Sequence, residues 1–227
     1  GFGHPGNQSS PSYGGYGFLA LETMAPYGSL TEPFDPGMGC RSQGDQNGRI
    51  SGIGGGAVKL VVTGDLELGG AIRAVGTIDN NVVRSGGTGG SIWIDARQIS
   101  GEGTIDASGC PPSSFTSDQG VAVGSGGRIA LYTKEPLALD RARISCNGAA
   151  YSGTSNGSKT KIGSAGTIYI KDATRANGRL VLKQAASVAS ANAVGSVVPL
   201  MGDVTLGGIE LSGRVVLAVR EGEKLTL

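Results

Sequence analysis

Residues 85–109 read "SGGTGGSIWIDARQISGEGTIDASG". Glycine weakens strands, through backbone entropy and the lack of a side chain to pack. Yet Ile92-x-Ile94 and Ile105-x-Ala107 alternate with period two, the pattern of a strand with one buried face. The stretch decides the fold because it recurs. Three more segments share its frame: "GGAVKLVVTGDLELGGAIRAVG" from Gly55, "GGRIALYTKEPLALDRARISCNG" from Gly126 and "AGTIYIKDATRANGRLVLK" from Ala165. The second glycine of each unit falls at 56, 90, 127 and 166, a repeat of 34, 37 and 39 residues. Loops such as "CPPSSFTSDQGVAVGS" absorb the variation in length.

Matching slots carry matching residues. Val58/Leu60/Val62, Ile92/Ile94, Ile129/Leu131 and Ile168/Ile170 form one set, and Ile72/Ala74, Ile105/Ala107 and Ile144/Cys146 another. A helical repeat would space them at i, i+3 and i+4. Sandwich strands have no reason to copy one another, whereas solenoid coils stack on their own kind. The expected fold is all-β, a right-handed parallel β-helix. In it the glycine pairs are corners, supplying positive φ and close approach, and the isoleucine pairs are walls.

The frame divides the chain. Residues 1–50 are loop-rich and read as an N-terminal cap or degenerate first coil. Residues 51–178 hold the coils. Residues 179–227 thin in glycine and read as further coils or as capping or docking strands, since open solenoid ends expose strand edges. The chain opens Gly1-Phe2-Gly3 without an initiator Met or signal peptide and closes on "KLTL" inside a strand pattern. Both ends read as cut from something longer, or as meeting a partner.

Composition narrows the function classes. Glycine is 42 of 227 residues without a strict G-X-Y period, which excludes collagen. The alternating Ile, Val and Leu runs argue against disorder. With 19 Lys+Arg against 18 Asp+Glu and no basic stripe, no nucleic-acid partner is expected. No apolar run approaches the ~20 residues of a spanning helix, so no membrane insertion is expected.

The ordered series "SYGGYG", "APYGSLTEPFDPGMG", "GGGAVKLVV", "GGSIWIDARQISGEGTIDASG" and "GSGGRIALY" resembles the glycine-rich repeat segments of very large secreted or cell-surface proteins of bacteria, some protists and plants. Those segments are similar to pectate-lyase-like parallel β-helices. The resemblance spans about residues 10–170 and implies an extracellular, mostly non-enzymatic module without established catalytic residues. Two departures stand out: Ala165-Gly166 replaces the glycine pair, and the fourth unit lacks the G-x-I-x-A-x-G ending.

Candidate chemistry is sparse. Asp95 and Asp106 face outward, and stacking would set Asp106 beside Arg73 and Ser145, as a surface ion pair. No carboxylates fall on matched slots, as paired acid/base glycoside chemistry requires. His4, the sole histidine, lies in a loop, and nothing near Ser9 or Ser10 forms a nucleophile elbow. "GDQNG" at 44–48 and "TIDNN" at 77–81 offer oxygen ligands for calcium, but in ordinary turn chemistry. No cofactor is expected beyond that. Trp93, Tyr132 and Tyr169 form an outward strip, which stacks on sugars if exposed or packs beneath loops if buried. Cys110 and Cys146 lie 36 residues apart, about one coil, and are candidates for a disulfide; Cys40 lies two coils before Cys110. Asn7 and Asn156 head glycosylation sequons.

The expected function is structural: a stalk, adhesion scaffold or filament subunit at the cell surface, partnered by itself head to tail or by other surface proteins. A glycan-binding module and a polysaccharide lyase or hydrolase on the same fold are the alternatives.

Overall fold

A computed structural model describes residues 9–10, 12–14, 22–23, 26–41, 50–78, 85–111, 122–151, 161–185, 196–200 and 202–227. The N-terminal part holds β1 (Ser9–Ser10), β2 (Glu22–Thr23), β3 (Cys40–Arg41) and β4 (Ile50–Ile53). The first repeat supplies β5 (Ala57–Val61), β6 (Asp65–Glu67), β7 (Ala71–Arg73) and β8 (Thr77–Ile78). The second supplies β9 (Ser91–Ala96), β10 (Gln98–Ser100) and β11 (Thr104–Asp106). The third supplies β12 (Arg128–Thr133), a 3-10 turn at Arg141–Arg143, β13 (Ile144–Ser145), and the hairpin strands β14 (Ala150–Tyr151) and β15 (Lys161–Ile162).

These strands pair as the repeat demands. β5, β9, β12 and β16 (Thr167–Lys171) stack in parallel, with Val58, Ile92, Ile129 and Ile168 in one row and Leu60, Ile94, Leu131 and Ile170 in the next. β6 pairs with β10, setting Leu66 beside Ile99. The third repeat has no strand at this wall, but Leu139 enters the core there and its amide donates to the Ile99 carbonyl at 2.9 Å. β7, β11 and β13 align Ile72, Ile105 and Ile144. The three walls converge on one apolar interior. In the second and third repeats its isoleucines are sealed, whereas Val58, Leu60 and Ile72 of the first are only part-buried.

The glycine pairs stand between the third wall of one repeat and the first wall of the next. Their hydrogen bonds fan out with a three-residue period. The amides of Gly86 and Gly89 reach the Ala122 and Ser125 carbonyls of the next repeat, at 3.2 and 3.1 Å. Those of Gly87 and Gly90 reach back to Thr77 and Ala74, at 3.3 and 2.7 Å, and that of Thr88 reaches Met38 at 3.0 Å. A three-fold pattern suits a chain surrounded by backbone on several sides, as in polyproline-type helices. It is not the two-sided ladder of a sheet. Among the described glycines, positive φ occurs at Gly28, Gly101, Gly202, Gly213 and Gly222, and the paired glycines are not among them. The expectation of positive φ at those corners is therefore corrected. Where a repeat precedes them they are glycine because neighbouring backbones touch: a Cβ on Gly127 would overlap the Gly90 carbonyl, and one on Gly166 the Gly127 carbonyl, whereas Gly56 of the first pair has nothing within 4 Å of its would-be Cβ.

The fourth unit breaks the pattern. After β16 the chain turns at residues 172–178 and returns as β17 (Arg179–Lys183), antiparallel to β16. Asp172 organises the turn, accepting from the Thr174 amide at 3.0 Å and from its hydroxyl. Burial pushes the Asp172 carboxyl up, but those bonds, the Leu137 amide and the Arg179 charge outweigh it, and the group titrates low. Gly178 passes so close to the Tyr169 ring that a Cβ would not fit.

Beyond the reversal, β17, β18 (Ser196–Pro199) and β19 (Val204–Thr205) are each matched in parallel by β20 (Gly208–Ser212), β21 (Val215–Ala218) and β22 (Leu225–Thr226). β17 and β20 extend the large sheet to six strands, in the order β20-β17-β16-β12-β9-β5. Their companions lie on its other side. Leu180, Leu182, Val198 and Leu206 form a second core with Ala130 and Tyr169, whereas Val181 faces the first. Strand direction and winding face thus flip together. Flipping both preserves the hand of a crossover, so the chain keeps one hand along the sheet, as parallel connections strongly prefer.

Residues 12–14 and 26–38 do not sit on an end of the stack, as a cap would. They run along the flank of the large sheet. Gly14 donates to Gly126 of the third repeat at 3.1 Å, and Gly37 to Gly55 of the first at 2.8 Å.

Candidate functional site

The face of the large sheet turned away from the repeat interior presents three columns. They are Ala57/Ser91/Arg128/Thr167, then Lys59/Trp93/Ala130/Tyr169, then Val61/Asp95/Tyr132/Lys171. The aromatic strip zigzags between two of them, with 5.7 Å between the ring centroids of Trp93 and Tyr132 and again between Tyr132 and Tyr169. It does not lie open to solvent. The Tyr132 hydroxyl donates to the Thr31 carbonyl at 3.0 Å, and Tyr169 is buried in the second core. Trp93 is part-buried, and its indole nitrogen is sealed without a hydrogen-bond partner. Lys59 Nζ lies 4.7 Å from its ring centroid. As an exposed sugar-stacking surface, the strip of Trp93, Tyr132 and Tyr169 is corrected: the flanking segment and the C-terminal strands cover it.

The flanking segment is anchored by Tyr13, whose side chain is fully buried. Its amide donates to Ser125 Oγ at 3.0 Å, its hydroxyl shares a hydrogen bond with Ser91 Oγ, and Ser91 Oγ donates to the Asp35 carbonyl at 2.6 Å. The Tyr13 ring packs on Tyr27 at 4.7 Å between centroids and against the Arg128 guanidinium at 5.6 Å.

Arg128 is the feature the sequence least advertised. It occupies a slot filled by Ala57, Ser91 and Thr167 in the other repeats. It is 1% exposed. Nε donates to the Tyr27 carbonyl at 2.9 Å and Nη1 to Thr167 Oγ1 at 3.2 Å, while Nη2 has no partner. Burial lowers its affinity for the proton, opposed by Tyr13, Cys146, Asp35 and Tyr27. The one sequence signal for it is a cation in an otherwise small-residue column.

Burial also pushes the Tyr13 and Tyr132 phenols from 10.0 up to about 12, and raises Tyr27 and Tyr169. Below pH 10 both folded and unfolded chains keep these protons. Between pH 10 and about 12 the unfolded chain ionises first, so stability falls as pH rises. Burial raises the Cys110 and Cys146 thiols from 9.0 in the same sense, so melting temperature is expected to decline from about pH 9 and to drop steeply above 10, with absorbance from these four phenols appearing only on unfolding. Folded-state phenolate absorbance near pH 10 from more than two of the six tyrosines would contradict this burial.

On the third wall, Arg73, Asp106 and Ser145 lie in register, as the repeat predicted. Arg73 and Asp106 are 3.9 Å apart, an exposed pair worth about 0–1 kcal/mol. With Thr104 and Arg143 they line a shallow groove of about 340 Å³. A second hollow of about 290 Å³ opens where the fourth unit turns back. Its floor is Ile144, Ile168, Ile170 and Val181, and Arg141 and Glu210 pair across its rim at 2.5 Å.

Among the described residues, the two ends of the stack carry unpaired strand edges. β5, β6 and β7 are each terminal in their sheets at one end, and β20, β21 and β22 at the other. Apolar side chains gather at both: Val61 is 63% exposed at the first end, and Leu211 and Val216 are about half exposed at the second.

No disulfide joins Cys110 to Cys146. Cys146 points into the core at the Ala107 slot, its thiol toward the Ala107 carbonyl at 3.7 Å. Cys110 lies beyond the third wall, its thiol toward the Pro111 carbonyl at 3.2 Å. The bridge fails because the repeat aligns Cys146 with Ala107, not with Cys110. Burial pushes both thiols up, Cys146 strongly. Cys40 is buried near the Gly86 carbonyl. His4, Asn7, Asn156, residues 44–48 and residues 79–81 lie outside the described residues. Among the described residues, no cluster of three or more His, Cys, Asp or Glu is placed to hold a metal ion. No protein-family model matches the chain, and no curated protein or solved structure matches it either.

Proposed function

We propose that this chain is a non-enzymatic structural segment of a secreted or surface protein, wound as a right-handed parallel β-helix. It serves as a stalk, adhesion scaffold or filament subunit. The hand follows from the strong right-handed preference of parallel crossovers within one sheet. The observation that carries the functional reading is the state of the ends. Among the described residues three strand edges are unpaired at each end: β5, β6 and β7 at the first, with half-buried Val58, Leu60 and Ile72 behind them, and β20, β21 and β22 around the second core at the other. Such edges are templates for further strands.

The occupant proposed is a second copy, docked head to tail. β20 runs opposite to β5 within one chain, because the sheet reverses once between β16 and β17. A translated copy would therefore set its β5 antiparallel to β20. Such a heterologous contact does not close on itself and grows into a filament.

Negative-stain imaging of purified protein across a concentration range tests this. Rods that lengthen with concentration are expected, and Val61→Lys should cap them as short particles, since an edge lysine blocks strand addition. Isolated short particles at every concentration would end the assembly reading. The groove of Arg73, Asp106 and Arg143 would then be the surface to screen against polysaccharides.

A further inference from the structure

Three parts of the chain meet at Arg128: the large sheet, the flanking segment and the C-terminal strands. Between them lies a small, partly enclosed cavity. Its walls are Leu30 from the flanking segment, Leu180 from the sheet, and Val198, Pro199, Leu200 and Leu217 from the C-terminal part. Arg128 and Thr167 supply its polar lining. The centre of a water-sized sphere has about 10 Å³ to move in, room for one small guest.

The chemistry of the lining is one-sided. The guanidinium is fully enclosed, yet its two hydrogen bonds go to neutral oxygens, the Tyr27 carbonyl and the Thr167 hydroxyl. Nη2 has no partner. No salt bridge joins Arg128 to a carboxylate among the described residues. Asp35 acts on the guanidinium only through space, and a buried charge is normally both paired and hydrogen-bonded. Thr167 Oγ1 already accepts from Nη1, so its own proton is left to donate. The cavity thus offers donors from a cation and a hydroxyl, surrounded by apolar side chains. A buried water usually makes two to four hydrogen bonds and would bring no charge to the guanidinium. A monatomic anion needs donors only.

We infer that Arg128 and Thr167 form an internal site for one small monovalent anion of the halide class, which locks the flanking segment and the C-terminal strands onto the sheet. The anion supplies a hydrogen-bonded counter-charge at a place where all three parts meet. Its binding is therefore coupled to their docking rather than to any surface activity.

Thermal and denaturant unfolding of the full chain in chloride, with gluconate holding ionic strength constant, tests the site. Above the dissociation constant, each tenfold rise in chloride is expected to raise the folding equilibrium constant about tenfold, by mass action. Bromide should replace chloride and give an anomalous scattering peak beside Arg128 Nη2 in a crystal. Thr167→Val keeps the shape but removes both a donor to the anion and the acceptor of Nη1, and should change the chloride dependence measurably. Arg128→Met should abolish it. If Arg128→Met does not fold, the valine variant and the bromide peak still decide. Stability indifferent to chloride at fixed ionic strength would overturn the proposal, as would bromide found only on the surface.

Discussion

Replacing Gly127 by alanine is expected to destabilise the protein by about 3 kcal/mol or more, at or beyond the upper end of ordinary overpacking. The expected loss has nothing to do with φ. Gly127 has no positive φ, and alanine would be welcome there if space were the only question left. Space is the difficulty. The new Cβ would fall onto the Gly90 carbonyl, and backbone on both sides is held by hydrogen bonds to neighbouring repeats. Relieving the clash would require parting two repeats, and the rows on either side would feel it. Gly69 is the control. It lies in an exposed turn with nothing within 4 Å of its would-be Cβ and no positive φ. Gly69→Ala is expected to be neutral or to stabilise by up to about 1 kcal/mol, through the unfolded chain. Denaturant unfolding of both variants checks the contrast. Equal midpoints would mean that glycine serves here as a flexible residue, and the tight backbone bundle would have to be abandoned.

Tyr13→Ala is expected to cost about 3–5 kcal/mol, the usual range for truncating a fully enclosed aromatic side chain. The ring holds the flanking segment to the sheet through Tyr27 and Arg128, and its hydroxyl reaches Ser91. Its removal should free that segment before the repeats themselves unfold. Limited proteolysis should then cut first within residues 26–41, and Tyr132 should lose its cover from Thr31. Tyr13→Phe keeps the ring and loses one hydrogen bond, for about 0.5–1.5 kcal/mol. Should alanine and phenylalanine prove equally mild, the segment would not be anchored by this ring.

Most of the repeat architecture was legible before any coordinates. Period-two alternation and a regular glycine pair placed Ile92, Ile129 and Ile168 in one row, and Ile72, Ile105 and Ile144 in another. The rows pair in that register. Register is readable because stacked coils repeat the same local environment, so each slot asks for the same kind of residue. The neighbourhood of Asp106, Arg73 and Ser145 was legible for the same reason.

The role of the glycine pairs was only half legible, since composition cannot separate a backbone that needs positive φ from one that needs a close neighbour. Arg128 was missed, and the aromatic strip and the cysteines were left between alternatives, for a different reason. Period two says that Trp93 and Tyr169 face away from the repeat interior, and they do. It cannot say what lies on that other side. Two segments far away in sequence, the Tyr13 strap and the strands beyond the β16–β17 reversal, meet there and make a second core. Sequence by itself therefore determined the rows, the register and the inner face, because those depend on each repeat matching its neighbour. Only the tertiary structure decided that the sheet has no solvated middle, that its strand direction and winding face reverse together, and that one guanidinium is enclosed there. Those outcomes depend on contacts between segments with no shared pattern, and no local periodicity encodes them.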